Sequence, residues 1–153
     1  MNNLFDIKGR VVVITGSTGV LGRTISAYLA QEGAKVVLLG RNVEVGTSLE
    51  KDIKQKGGDC MFLPSDVMNR EVLEQNLSDI LNRYGKVDVL INAAGGNMPG
   101  ANIPPTGTLF DLKIDDFQKV LELNLLGTVL PTQVFLKPMS EQKRGCIVNF
   151  SSM

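Results

Sequence analysis

The chain has 153 residues, enough for one domain with a buried core. Sixteen basic residues balance sixteen acidic ones without clustering, so no surface is marked for nucleic acid or an anionic membrane, and no apolar run approaches spanning length. Histidine is absent, which removes His-based triads and leaves no expectation of a metal site.

The opening, Met1 to Asp6, is no signal peptide, and the chain reads as cytoplasmic. The first apolar run, Arg10–Thr15, leads into Gly16-Ser17-Thr18-Gly19-Val20-Leu21-Gly22, and that turn opens an amphipathic helix. A strand, a small-residue turn and a helix N-terminus together aim free backbone N–H groups at a phosphate, with the helix dipole favouring negative charge. The glycines allow close approach to a pyrophosphate, so the segment reads as a dinucleotide site.

Further strand-like runs follow at Lys35–Leu39, Cys60–Pro64, Val87–Asn92 and Cys146–Ser151. Between them, Val45, Leu49 and Ile53 keep one helix face until Gly57-Gly58 stops it, and Leu73, Leu77, Ile80, Leu81 and Tyr84 do the same until Gly85. Cys60 and Cys146 are isolated in apolar stretches and read as reduced core thiols. Alternating strands and helices imply an α/β fold: parallel strands, right-handed crossovers and helices on both faces. The loop Gly95–Thr108, with Pro99 and Pro104-Pro105, follows the fourth strand, where open parallel sheets place ligands. It is either a substrate-contacting element or a surface excursion.

Four separated motifs then resemble, in order, those of the short-chain dehydrogenases/reductases. The first is Thr15 to Gly22, with Val20 at the usual place of the middle glycine and Gly19 one residue earlier. The second is Asp66-Val67, matching the pair that contacts adenine; Asp66 also has an alternative as a helix N-cap. The third is Asn92-Ala93-Ala94-Gly95, whose small residues leave room for the nicotinamide ribose while Asn92 braces the sheet. The fourth is Asn124, matching the asparagine that holds a water in the proton relay, with bonding to neighbouring backbone as the alternative. Ile147 to Ser152 resembles the strand that delivers the catalytic serine, which places Ser152, and not Ser151, at the substrate carbonyl.

The resemblance implies a Rossmann-type doubly wound sheet in three α/β/α layers, here reaching the fifth strand, so that residues 1–153 form the amino-terminal part of a nucleotide-binding domain. It implies hydride transfer between a nicotinamide cofactor and a ketone or secondary alcohol. Asn92 to Asn97 and Asn124 to Gln133 resemble the D-mannonate oxidoreductase (fructuronate reductase-like) branch, which implies a sugar-acid substrate. It further implies a homo-oligomer, a dimer or tetramer, built through a long helix over Ile114–Met139; there Val120, Leu121, Leu125, Val129 and Phe135 suit either an interface or the core.

After the second strand, Gly40 stands where members preferring NAD often carry aspartate, and Arg41 follows. A guanidinium beside the ribose suits a 2′-phosphate, which favours NADP(H), with NAD as the alternative. The family's chemistry also needs a tyrosine and a lysine four residues later; Glu32 follows Tyr28 and Asp88 follows Tyr84 at that spacing. The expectation is that residues 1–153 alone are inactive and, with the fifth strand's outer edge bare, prone to associate. The competing expectations are a dinucleotide-binding module without chemistry and a fragment without function.

Overall fold

The computed structural model describes residues 6–151. Five strands, β1 (Val11–Thr15), β2 (Lys35–Gly40), β3 (Asp59–Pro64), β4 (Val89–Asn92) and β5 (Cys146–Asn149), form one parallel sheet in the order β3-β2-β1-β4-β5. Helices α1 (Val20–Gln31), α2 (Val43–Gln55), α3 (Arg70–Tyr84), α4 (Ile114–Leu121) and α5 (Gly127–Glu141) make the crossovers. This is the expected doubly wound α/β fold.

The unbroken apolar strands follow from having both faces covered. Val11, Val13, Val37 and Leu39 meet Leu73 and Ile80 of α3 and Val134, Phe135 and Met139 of α5. The alternate residues Val12, Ile14, Val36 and Leu38 meet Ala30 of α1 and Ile53 of α2 on the other side. Neighbouring side chains of one strand therefore serve different layers. Each such fully buried aliphatic side chain contributes about 1.5–3 kcal/mol.

Local chemistry sets the helix limits. Asn42 Oδ1 accepts from Val45 N–H at 3.0 Å and Asn69 Oδ1 from Val72 N–H at 3.2 Å, so these asparagines cap α2 and α3. Asp66 is not that cap; its Oδ1 accepts from Met68 N–H at 2.9 Å in a tight turn three residues before the helix cap. Gly85, at φ 74°, ends α3 in the left-handed region that favours glycine.

Two expectations are corrected. The single helix over Ile114–Met139 is divided by a π turn at Glu122–Leu126, because the Asn124 side chain is inserted into the ladder and donates to Val120 O at 2.8 Å. Of its five apolar positions only Phe135 is fully buried, whereas Leu121, Leu125 and Val129 are exposed. Cys60 is buried as expected, but Cys146 is exposed, since β5 is an edge strand with little packed over it. Val148 and Phe150 are also exposed there.

The strand order reverses at β1. The chain steps outward to β3, returns beside β1 as β4, and opens a crevice between the loops at their carboxyl ends.

Candidate cofactor site

Thr15 ends β1 and ties the two sides of that crevice together. Its hydroxyl accepts from Ala93 N–H and Ala94 N–H, both at 3.1 Å. Gly16 follows at φ 66°, and a Cβ there would stand 2.6 Å from Ala93 O and 2.7 Å from Ala94 N. A Cβ on Gly22 would overlap Gly16 O and approach Ser17 Cα to 2.8 Å. Both positions therefore need glycine on steric grounds, against backbone that cannot step aside.

Gly19 caps α1 with ordinary dihedrals (φ −77°), and no side chain accepts from the first-turn N–H groups. Those donors remain for an anion, with the helix dipole behind them. Val20 and Leu21 are 76% and 63% exposed, so a side chain at position 20 stands in solvent and the missing middle glycine leaves the turn intact.

The turn floors a cleft of ≈ 340 Å³. Of the residues expected at the cofactor, Gly16, Thr18, Gly19, Arg41, Val67, Ala93, Ala94 and Gly95 line it. Gly40, expected at the ribose end, lines it too, and Asn42, Ser65 and Leu123 join them without having been singled out. Arg41 is exposed and lies just outside the Asn42 cap of α2, and no carboxylate lines the cleft.

The remaining expected residues support the site from behind or stand beside it. Ser17 is buried and donates both its N–H and its hydroxyl to Leu39 O at 3.0 Å, locking the turn to β2. Gly22 packs beneath the turn. Asn92, buried, donates to Thr132 Oγ1 at 3.0 Å and Asn149 Oδ1 at 2.9 Å, bracing β4 against α5 and β5. Asp66 is exposed and its carboxylate is engaged in its own turn.

A second hollow, ≈ 580 Å³, adjoins the first at Ala94. Asn97 and Asn102 of the long loop, Phe117, Asn124, Asn149 and Ser151 are among its lining. The Asn124 amide is fully engaged: Nδ2 donates to Gly96 O and Val120 O, both at 2.8 Å, and Oδ1 accepts from Gly96 N–H at 3.2 Å. The side chain is thus bonded to backbone and clamps the π turn to the loop after β4. Ser152 lies outside the described residues.

Neither tyrosine is at the clefts. Tyr28 is exposed on α1. Tyr84 donates to Asp59 Oδ1 at 2.9 Å at the opposite end of the sheet, where burial, then the bond to Asp59 and its charge, push its phenol up. Among the described residues no cluster of three or more His, Cys, Asp or Glu could hold a metal, and no helix is long and apolar enough to cross a membrane.

A doubly wound sheet with a glycine turn at its switch point defines a dinucleotide-binding α/β domain. The chain belongs to the short chain dehydrogenase family, whose model matches residues 10–153. It is 37% identical over 156 residues to the uncharacterized oxidoreductase UxuB of Bacillus subtilis and 35% identical over 158 to an uncharacterized oxidoreductase of Haemophilus influenzae, with 97% of this chain covered in both. It spans only 56% and 55% of those relatives' own lengths.

Among solved structures, it superposes with a TM-score of 0.86 on a Haemophilus protein provisionally named a D-mannonate oxidoreductase, with bound NAD, at 35% identity over 97% of this chain and 56% of that one. An NAD+-bound xylitol dehydrogenase matches with a TM-score of 0.87, 31% identity and 96% and 54% coverage. A metagenomic short-chain oxidoreductase in complex with NADP matches with a TM-score of 0.82, 30% identity and 97% and 64% coverage.

Proposed function

We propose that this chain supplies the nicotinamide dinucleotide site of an oxidoreductase that moves a hydride between NAD(P)H and a polar ketone or secondary alcohol. The observation that carries the proposal is the glycine turn at the β1–β4 crevice, where Gly16 and Gly22 leave no room for a side chain and α1 begins with uncapped N–H groups. The residues fit the cofactor. Gly16 to Gly19 would hold the pyrophosphate, Arg41 the adenosine ribose, Val67 the adenine face, and Ala93 to Gly95 the nicotinamide ribose. When bound, the nicotinamide supplies the hydride.

The adjoining hollow, lined by Asn97, Asn102, Asn149 and Ser151, offers amides and a hydroxyl to a polyhydroxylated substrate. The similarity to a protein named for D-mannonate supports a sugar acid such as D-fructuronate. In this reading Ser152 polarises the substrate carbonyl. The side chain of Asn124 fixes the π turn, so that any relay water is held by the backbone around it. Asp66, between Ser65 and Val67 of the lining, would meet adenine.

Neither Tyr28 nor Tyr84 can give the proton, for both lie away from the clefts. In this reading residues 1–153, without a tyrosine at the clefts, bind cofactor without reducing ketone. The whole protein is read as a cytoplasmic homo-oligomer. Arg41 and a lining without carboxylate support NADP(H). A second reading, NAD, is favoured by the NAD bound in two of the similar structures.

The test is reduction of D-fructuronate by the full-length protein with NADPH or NADH, beside residues 1–153 alone. Turnover by the former and cofactor binding without turnover by the latter is the expected result. Ketone reduction by residues 1–153 alone, or no turnover of any keto-sugar acid by the full-length protein, would contradict it.

A further inference from the structure

Thr18 lies across the end of β2. A Cβ placed on Gly40 would stand 2.7 Å from Thr18 Cγ2 and 2.8 Å from Thr18 Oγ1, closer than side-chain atoms pack. Gly40 is not in the left-handed region, so its backbone would accept an ordinary residue. The three atoms nearest to such a Cβ all belong to the Thr18 side chain.

The backbones of both residues are anchored, so only the Thr18 side chain can turn aside. Gly40 pairs with Pro64 in the sheet, and its carbonyl accepts from Ser65 N–H at 3.0 Å. Thr18 sits in a turn closed by Gly19 N–H to Gly16 O at 3.0 Å, and the preceding Ser17 is bonded twice to Leu39 O. Both residues line the cleft beside Arg41.

We propose that Thr18 is a specificity-determining residue: its side chain fills the space above Gly40 and so keeps a carboxylate away from the adenosine ribose. A carboxylate there would accept from the 2′- and 3′-hydroxyls of NAD and repel a 2′-phosphate. With Thr18 in place the ribose end of the cleft presents Arg41 unopposed. Positions 18 and 40 then act as one unit, and selectivity cannot be rewritten at position 40 alone. This rests on the cofactor reading above.

The test is a pair of double-mutant cycles in the protein. The first follows NADPH and NADH dissociation constants by nicotinamide fluorescence. Gly40→Asp alone should weaken both cofactors by about tenfold and change their ratio by less than about threefold, because the new carboxylate is forced against Thr18. Thr18→Ala with Gly40→Asp should move the ratio toward NADH by about tenfold or more relative to Thr18→Ala. A full shift from Gly40→Asp alone would overturn the proposal.

The second cycle needs no cofactor. Gly40→Ala should lower the melting temperature by several degrees in the unsubstituted protein, and by less than half as much in the Thr18→Ala background. Equal falls in both backgrounds would overturn the role of Thr18 while leaving the cofactor reading intact. Failure of the unsubstituted protein to bind either cofactor would overturn that reading, and the specificity role with it.

Discussion

Gly22→Ala tests whether the first turn is built by steric necessity. The added methyl overlaps Gly16 O and meets Ser17 Cα at 2.8 Å. Ordinary contact returns only if the start of α1 moves off the turn by ~1 Å. Overpacking costs about 1–3 kcal/mol, toward the upper end here because the atoms met are backbone, and the better helix propensity of alanine returns about 1 kcal/mol. A net loss of about 2 kcal/mol lowers the melting temperature by about 4–8 °C for a chain of this length. The same shift turns the uncapped N–H groups away from a bound phosphate. Losing one charge-assisted hydrogen bond, about 1.5–3 kcal/mol, weakens dinucleotide binding by about 10- to 100-fold. Thermal melting and a nicotinamide fluorescence titration read the two effects. Gly19→Ala is the control, since its nearest contact would be 3.3 Å, and it should cost less than about 1 kcal/mol. A Gly22→Ala protein as stable and as tight as the parent, or a Gly19→Ala protein equally damaged, would refute the steric reasoning.

Three further outcomes are expected. In residues 1–153, a thiol reagent at pH 7.5 should modify the exposed Cys146 quickly and Cys60 only on unfolding; burial, with Glu50 beside it, pushes the Cys60 thiol up to about 11. Burial opposes ionisation of Asp88, but the bonds from Lys86 and Val11 N–H, with Arg10 nearby, outweigh it and hold the carboxyl below its ordinary 3.8. A depressed folded value gives stability that is complete above the ordinary value and drains as pH falls through the folded one. Acid melts below about pH 4 should therefore be shallower in Asp88→Asn than in the parent. Asn92→Ala removes two bonds from a buried amide and should cost about 1–3 kcal/mol in a denaturant melt, whether or not cofactor is present.

The sheet was legible because a strand covered on both faces must be apolar throughout, as Val11 to Ile14 and Val36 to Leu39 are. The glycine turn was legible for the same local reason: Gly16 and Gly22 answer contacts within a few residues or to the next loop. What escaped the sequence is long-range. Cys146 sits in an apolar run, and only its place at the sheet edge leaves it exposed. The π turn is set by Asn124 reaching Gly96, 28 residues away, so helical periodicity over Ile114–Met139 does not reveal it. Ser65 and Asn42 could have been found, since each falls just past the carboxyl end of a strand, β3 and β2, on the side of the sheet that carries the cleft. Leu123 could not, because it reaches the cleft only through the packing of the π turn on the β4 loop.

Amide hydrogen exchange of the protein with and without saturating NADPH addresses the cofactor site most directly. Protection should concentrate at residues 16–22, 40–42, 65–67 and 93–95, the segments that meet at the β1–β4 crevice. Unchanged exchange in all four, or protection confined to another part of the surface, would contradict a dinucleotide site there.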